Sequence, residues 1–360
     1  MPEILNTLHL KANSPADVEL AAKLLREGRL VAFATETVYG LGANALSADA
    51  VAGIFTAKKR PSWDPLIVHL GGMDEIERVA ILDDKLRERI EKLAKAFWPG
   101  PLTLLMPKRA EIPEAVTAGR PLVGVRVPAH PAAQALLRAT GLPVAAPSAN
   151  LFGHTSPTTA EHVLTDLRGR IHAVLDAGPT LVGLESTVVD ATQTPMVLYR
   201  PGAVSAEQLA RASGVEVSVY LPPAEMNETE PGAMPSPGVG IRHYAPRAHV
   251  VLTGGSEEAL RKAVAQLAGS RVGVIVPRGW HLCESGNDTA TQHASEIAQG
   301  AQHVVVWPWG AWERPEELAA SLYAGLRALD ESDVEVIVCP LPTGGGMYDA
   351  IRDRLLKAAK

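Results

Sequence analysis

Cysteine is nearly absent from this chain: two occur in 360 residues, Cys283 and Cys339, with no C-x-x-C spacing. That leaves no material for a disulfide framework or a thiolate zinc cluster. Long apolar runs are missing too, and none approaches the roughly 18–20 residues that cross a bilayer. The opening stretch MPEILNTLHLKANSPADVEL carries no basic segment followed by an apolar one, so no secretory leader is expected. The expectation is a soluble, cytoplasmic protein without membrane association. Aromatic residues make up only 4%, too few for the stacking platforms of single-strand binders. Cations are not in excess: 34 Lys and Arg stand against 40 Asp and Glu, a net charge of −6. Residues 1–217 hold 22 basic and 23 acidic groups, and residues 247–360 hold 11 and 14. Stable nucleic-acid binding is therefore not expected, although a local basic pocket remains compatible with these counts.

Several catalytic signatures are also lacking. There is no G-x-x-x-x-G-K-[ST], no G-x-S-x-G, and no H-x-x-x-H among the 11 histidines. A Walker loop, an acyl-hydrolase elbow and a zincin helix have no support. With no evident nucleophile, the composition suits chemistry done by positioning and charge neutralisation.

What is present is a globular composition, 46% hydrophobic and 21% charged, with a mean hydropathy of +0.05. The length argues for more than one domain. Residues 1–217 read as the first: a helix capped by Ser14 with Pro15 in its first turn and Gly28 past its end, then apolar strands at 29–35, 66–70, 102–106, 122–127, 143–147, 173–177 and 196–200. Helical patterns fall near 48–57, 83–97, 131–140 and 159–168, and a further helix starts at Ser205, where S-A-E-Q forms a capping box. Residues 218–246 lose periodicity and are proline-rich, a linker composition. Residues 247–360 alternate strands at 249–252, 272–276, 303–307 and 334–338 with helices at 257–268, 290–299, 315–328 and 347–358. That order predicts a smaller parallel α/β domain.

Polar residues of the first domain gather at strand ends and in loops, where α/β proteins bind ligands. The segments are TETVYGLGANA (35–45), KKRPSWDPLIVH (58–69), PSANLFGHTSPT (147–158) and GLESTVVD (183–190), joined by Arg126 and Arg200. Lys58, Lys59 and Arg60 precede Pro61, which stops a helix, so their heads are expected at its C-terminal end. Two readings stand: an anion site for a polyphosphate, or cations that complement the helix dipole. Ser148-Ala149-Asn150 and Glu185-Ser186-Thr187 are either ligand loops or ordinary turn chemistry. The lone G-x-G at Gly40–Gly42 is a weak phosphate signal.

Taken together, these segments resemble the Sua5 branch of the YrdC/Sua5 family, the threonylcarbamoyl-AMP synthases. The matching motifs are TETVYGLG, K-x-R-P-x-x-x-P-L-x-x-H, FWPGPLT, VGVRVP, PSAN, ESTVVD, YRPG and, in the linker, SPG…HYAP. The resemblance implies a YrdC-like twisted-sheet α/β domain, a linker that closes over it as a lid, and a smaller Rossmann-like domain. It implies a nucleotidyltransferase reaction in which L-threonine, bicarbonate or CO2 and ATP give threonylcarbamoyl-AMP and pyrophosphate. The product would pass to a tRNA threonylcarbamoyltransferase for t6A modification of tRNAs reading ANN codons. Mg²⁺ would accompany ATP, with no organic cofactor. The family's catalytic set falls on Lys58, Arg60, Ser148 and Asn150. Threonine contacts fall on Thr37, His69, Arg126 and Ser186. ATP contacts fall on Arg60, Asp64, Ser148, Ser156, Arg200 and His243. Asp64 departs from the family's asparagine; a carboxylate cannot donate a hydrogen bond as an amide does, so it contacts ATP, pairs with Arg60 or helps hold metal. Val239 replaces a common methionine.

Overall fold

A computed structural model describes residues 4–221, 234–236, 244–267, 269–282, 295–299 and 302–360, with the side chains of 295–299, 302 and 303 left aside. Strand runs such as Val31–Ala34 and Ile67–His69 are buried at every position, which requires cover on both faces of a sheet. The first unit supplies it. Eleven strands form one sheet in the spatial order Leu8–Lys11, Ala173–Asp176, Val31–Ala34, Tyr39–Asn44, Val144–Ala145, Ile67–His69, Leu122–Arg126, Leu102–Pro107, Thr187–Asp190, Met196–Arg200 and Val217–Val219. Helices Pro15–Arg26 and Pro131–Thr140 cover one face through Ala21, Leu25, Leu136 and Leu137 against Phe33. Helices Ala48–Lys58, Asp84–Phe97 and Ala160–Leu167 cover the other through Ile54, Ile90, Leu93 and Val163.

The helix ends follow their sequence signals. Ser14 accepts a hydrogen bond from the Asp17 amide, and Ser205 and Gln208 form the reciprocal capping box. Segment 35–45 differs from a ligand loop: Tyr39–Asn44 is a strand, and its G-x-G has a packing cause. A Cβ on Gly42 would lie 2.9 Å from Val144 Cγ1 and 3.0 Å from Phe33 Cε1. Only glycine lets the Phe33 ring lie across that strand.

By contact density the second unit comprises the described parts of Ile241–Lys360 together with Gly153–Thr155 and Val182–Leu184. Its sheet runs His249–Thr253, Val336–Pro340, Val272–Pro277, Gln302–Gly310 and Ser295–Gln299. The first four are parallel, as the strand–helix alternation predicts. The fifth is a correction. Residues 290–299 read as a helix, yet Ser295–Gln299 is a strand, antiparallel to Gln302–Gly310 with Gln299 opposite Gln302; residues 290–294 lie outside the described part. Pairing with an adjacent strand edge outweighs a weak local helical pattern. Of the linker, 218–221, 234–236 and 244–246 are described, so His243 and Val239 lie outside. Met234 N–H donates to Trp63 O at 3.0 Å within the first unit, and Ser236 is fully buried. Tyr244 stacks on Tyr323 with centroids 5.7 Å apart, and the Arg354 guanidinium lies over its ring.

One backbone approach fixes the loop after Met196–Arg200. A Cβ on Gly202 would lie 2.4 Å from Thr187 N and 2.8 Å from Glu185 O. Gly202→Ala is expected to cost about 1–3 kcal/mol and to lower the first melting transition by roughly 3–10 °C in calorimetry. An unchanged transition would show that this loop shifts without cost.

Candidate functional site

Strand register assembles the site. His69 and Arg126 are register partners on adjacent parallel strands, so their side chains leave the same face. Leu104 pairs with Val125 on the next, antiparallel strand, which brings Thr103 level with Arg126. Thr103 Oγ1 lies 2.7 Å from Ser186 Oγ, just before Thr187–Asp190. Arg200, ending the next strand, donates from Nε to Ser186 O at 3.0 Å and from Nη2 to Ser186 Oγ at 3.1 Å. His69, Arg126, Thr103, Ser186 and Arg200 thus form one polar row across five neighbouring strands.

Arg126 is 3% exposed and held on three sides. Its Nη2 donates to Glu36 Oε1 at 2.7 Å, Nη1 to Thr37 Oγ1 at 2.9 Å, and Nε to Gly100 O at 3.1 Å. Thr35 Oγ1 lies 2.8 Å from Thr37 Oγ1. The second oxygen of Glu36 accepts from the Ala129 and His130 amides at 3.0 and 3.3 Å. Burial pushes the Glu36 carboxyl up, but the Arg126 charge and hydrogen bond with the Ala129 amide outweigh it and hold the carboxyl below its usual range. Three of the five guanidinium N–H donors are engaged by described residues. His69 packs edge-on against Phe33 at 6.1 Å. Burial first, and the Arg126 charge second, push its pKa down to about 3. The ring is neutral at physiological pH, and its Nδ1 is buried with no partner among the described residues.

Lys58 and Arg60 are buried, so of the two readings open from sequence the one of solvated cations at a helix end does not hold. Lys58 is 1% exposed, and its ammonium donates to Ser148 O at 2.6 Å and Asn150 O at 2.5 Å. It thereby fixes the PSAN loop. Lys59, in a left-handed conformation, ends helix Ala48–Lys58 directly after it. The Asn150 side chain caps Leu151 O at 2.7 Å, and the Ser148 backbone bridges Gly40. The Arg60 side chain is 6% exposed. It donates to Asp64 O and Pro65 O at 3.1 and 2.8 Å and pairs with the Asp64 carboxylate at 2.9 Å. Of the three roles open to Asp64, the structure shows pairing with Arg60. Phe152 N–H donates to Lys58 O at 2.9 Å, and the Arg60 guanidinium sits 6.0 Å from the Phe152 ring, which joins these two groups. Ser156 Oγ donates to Glu185 Oε1 at 2.5 Å, beside Ser186.

The structure therefore joins Thr37 to Arg126 and Ser186 to Arg200 by hydrogen bonds, and sets His69 beside Arg126. Lys58, Ser148 and Asn150 form a second knot, and Arg60 with Asp64 a third. His243 lies outside the described residues. Sequence reading placed Glu36 and Glu185 in candidate segments without giving either a role, and passed over Thr103. Glu36 had a usable signal, an acid two residues past the apolar strand Val31–Ala34. Thr103 is the lone hydroxyl of LTLLM, and nothing local distinguishes it. Among the described residues, no three or more His, Cys, Asp or Glu converge as metal ligands, and no helix is long and apolar enough to cross a membrane.

Two family models cover the chain: one described as telomere recombination, of the Sua5, YciO and YrdC proteins, matches residues 23–202, and one described as the threonylcarbamoyl-AMP synthase C-terminal domain matches residues 204–360. The chain is 39% identical over 348 residues to a threonylcarbamoyl-AMP synthase of Pyrococcus abyssi, covering 95% of this chain and 94% of that one. It is 41% identical over 357 residues to one of Bacillus subtilis, covering 98% and 95%. A crystal structure of P. abyssi Sua5 complexed with L-threonine superposes with a TM-score of 0.82 at 37% identity, covering 98% of this chain and 97% of that one. With matches that run nearly end to end through both units, the chain belongs to the Sua5 branch of the YrdC/Sua5 family, the threonylcarbamoyl-AMP synthases.

Proposed function

We propose that this enzyme joins L-threonine, bicarbonate or CO2 and ATP into L-threonylcarbamoyl adenylate, releasing pyrophosphate. The observation that carries the reading is the polar row itself: two buried guanidiniums, Arg126 and Arg200, flank the Thr103–Ser186 hydroxyl pair. That arrangement suits an amino acid whose carboxylate and phosphate partner must lie close together. The two remaining Arg126 donors take the threonine carboxylate. Ser186, Thr37 and His69 face its amine and hydroxyl. With a pKa near 3, His69 serves as a neutral hydrogen-bonding partner and not as a general base. The amine nitrogen attacks the carbon of bicarbonate and loses a proton, and the departing oxygen leaves as water. A carbamate oxygen then attacks the α-phosphorus, the bond to the bridging oxygen breaks, and pyrophosphate departs.

Lys58, Arg60 and Arg200 offset the charge of the triphosphate, with Ser148, Asn150 and Ser156 lining its path. Asp64 contributes by holding the Arg60 guanidinium. Mg²⁺ enters as part of MgATP; phosphates and waters supply most of its usual shell, which fits a site where no ligand cluster converges among the described residues. The product goes to a tRNA threonylcarbamoyltransferase for tRNAs reading ANN codons, and the setting is the cytoplasm. Mass spectrometry after mixing ATP, Mg²⁺, bicarbonate and threonine tests the reaction. The adenylate and pyrophosphate are expected together, and pyrophosphate release that ignores threonine would overturn it.

Two further outcomes follow from burial. Lys58→Met should abolish synthesis and also cost about 1–3 kcal/mol of stability, since two buried carbonyls lose a charged donor. Denaturant titration beside the activity assay separates the two effects, and a variant with full turnover would place the phosphate site elsewhere. His69 titrates at about 3 folded and near 6.5 unfolded. Its contribution to stability is complete above pH 6.5 and declines as pH falls, because the unfolded chain takes up the proton first. The slope is about 1.4 kcal/mol per pH unit between 6.5 and 3. In His69→Leu that component should vanish from the stability–pH curve measured by chemical denaturation; parallel curves would show that His69 is not buried neutral.

A further inference from the structure

Thr103, in strand Leu102–Pro107, is fully buried within the polar row. Its rotamer is set from two sides. A Cβ on Gly124, in the neighbouring strand Leu122–Arg126, would lie 3.2 Å from Thr103 Cγ2, so the bare glycine makes room for the threonine methyl. A β-branched side chain has few rotamers, and with its methyl there Oγ1 meets Ser186 Oγ at 2.7 Å. That serine is the hydroxyl's partner among the described residues. Ser186 Oγ also accepts from Arg200 Nη2 at 3.1 Å, and its carbonyl accepts from Arg200 Nε at 3.0 Å.

A hydroxyl has one proton and two lone pairs. Thr103 and Ser186 bring two protons to the one bond between them, so one proton is left over. Arg200 cannot take it, because a guanidinium only donates. If Ser186 donated, the spare proton would sit on Thr103, a residue with no exposed surface and no other acceptor among the described residues. Native interiors rarely strand a donor in that way. With Thr103 donating, both lone pairs of Ser186 Oγ are filled, one by Thr103 and one by Arg200. The spare proton then belongs to Ser186, the member of the pair that meets substrate in the function proposed above.

We propose that Thr103 is a positioning residue for substrate selection, acting through Ser186: together with Arg200 it leaves that serine able only to donate. The inference rests on the proposed function, in which Ser186 faces the amine and hydroxyl of threonine. An ammonium has no lone pair to offer, so the threonine hydroxyl oxygen takes the Ser186 proton. Thr103 thereby helps to select an amino acid that carries a hydroxyl.

L-Threonine and L-2-aminobutyrate, which differ in that hydroxyl, are the probes, and adenylate formation by the full-length chain is the readout. The wild type should prefer threonine by roughly a hundredfold or more in kcat/KM, as a site built to bond a hydroxyl does. Thr103→Val keeps the shape and removes the donor, and should lower that preference at least tenfold, through threonine alone. Thr103→Ser should restore it to within about threefold. A mere packing defect would slow both substrates alike and leave the ratio unmoved. Added to Ser186→Ala, Thr103→Val should change the ratio less than twofold, because two residues acting as one unit are not additive. Thr103→Ala adds no bulk and carries the same expectation should the valine variant fold poorly. An unchanged ratio in Thr103→Val and Thr103→Ala, or a further tenfold fall on adding Thr103→Val to Ser186→Ala, would overturn the inference alone. A wild type that makes no adenylate from threonine would overturn the proposed function, and this inference with it.

Discussion

The buried ion pair between Arg126 and Glu36, at 2.7 Å, is the constraint on which the first unit's working face depends. Neither charge reaches bulk water, and each is satisfied by several fixed partners. Around the pair converge four separate pieces of chain: the Thr35–Thr37 turn, Gly100, the end of strand Leu122–Arg126, and the Ala129–His130 amides that receive Glu36. Removing either partner would leave a lone buried charge, so the turn and the strand end hold each other in place. The Arg126 guanidinium is thereby held in one orientation by three fixed partners.

The same arrangement reconciles an acidic chain with a basic site. The protein carries a net charge of −6, yet the side chains of Lys58, Arg60, Arg126 and Arg200 are all buried. Asp64 and Glu36 balance two of these cations. Lys58 and Arg200 donate to backbone carbonyls of Ser148, Asn150 and Ser186. In a low-dielectric setting such groups act strongly at short range, while the surface keeps its acidic balance. A bulk charge count does not separate surface groups from buried ones such as these four cations.

Packing and chemistry also share residues along the reading frame of the motifs. Trp63 lies in the same loop as Arg60 and Asp64; its ring meets Phe152 edge-on at 5.9 Å, and its carbonyl receives Met234 from the linker. Phe152 in turn underlies the Arg60 guanidinium. The glycines do comparable service: Gly42 admits the Phe33 ring that braces His69, and Gly202 lets the chain after Arg200 press against Glu185–Thr187.

The sequence by itself determined most of the secondary elements, through capping residues and apolar runs that act over a few residues. Ser14, Ser205 with Gln208, and strands such as 102–106 are cases where local chemistry and the final fold agree. The motifs also carried the family, because their joint occurrence is specific where each alone is weak. Tertiary structure alone decided the rest. Strand register placed His69 beside Arg126 and Thr103 beside Ser186, across gaps of dozens of residues that no local pattern spans. Tertiary packing also buried Lys58 against Ser148 and Asn150, where helix-end chemistry left a solvated reading open. Edge pairing made Ser295–Gln299 a strand against its local pattern. The physical reason is common to all three. Burial and cross-strand pairing are energies between segments distant in sequence, and they appear only once the sheet has formed.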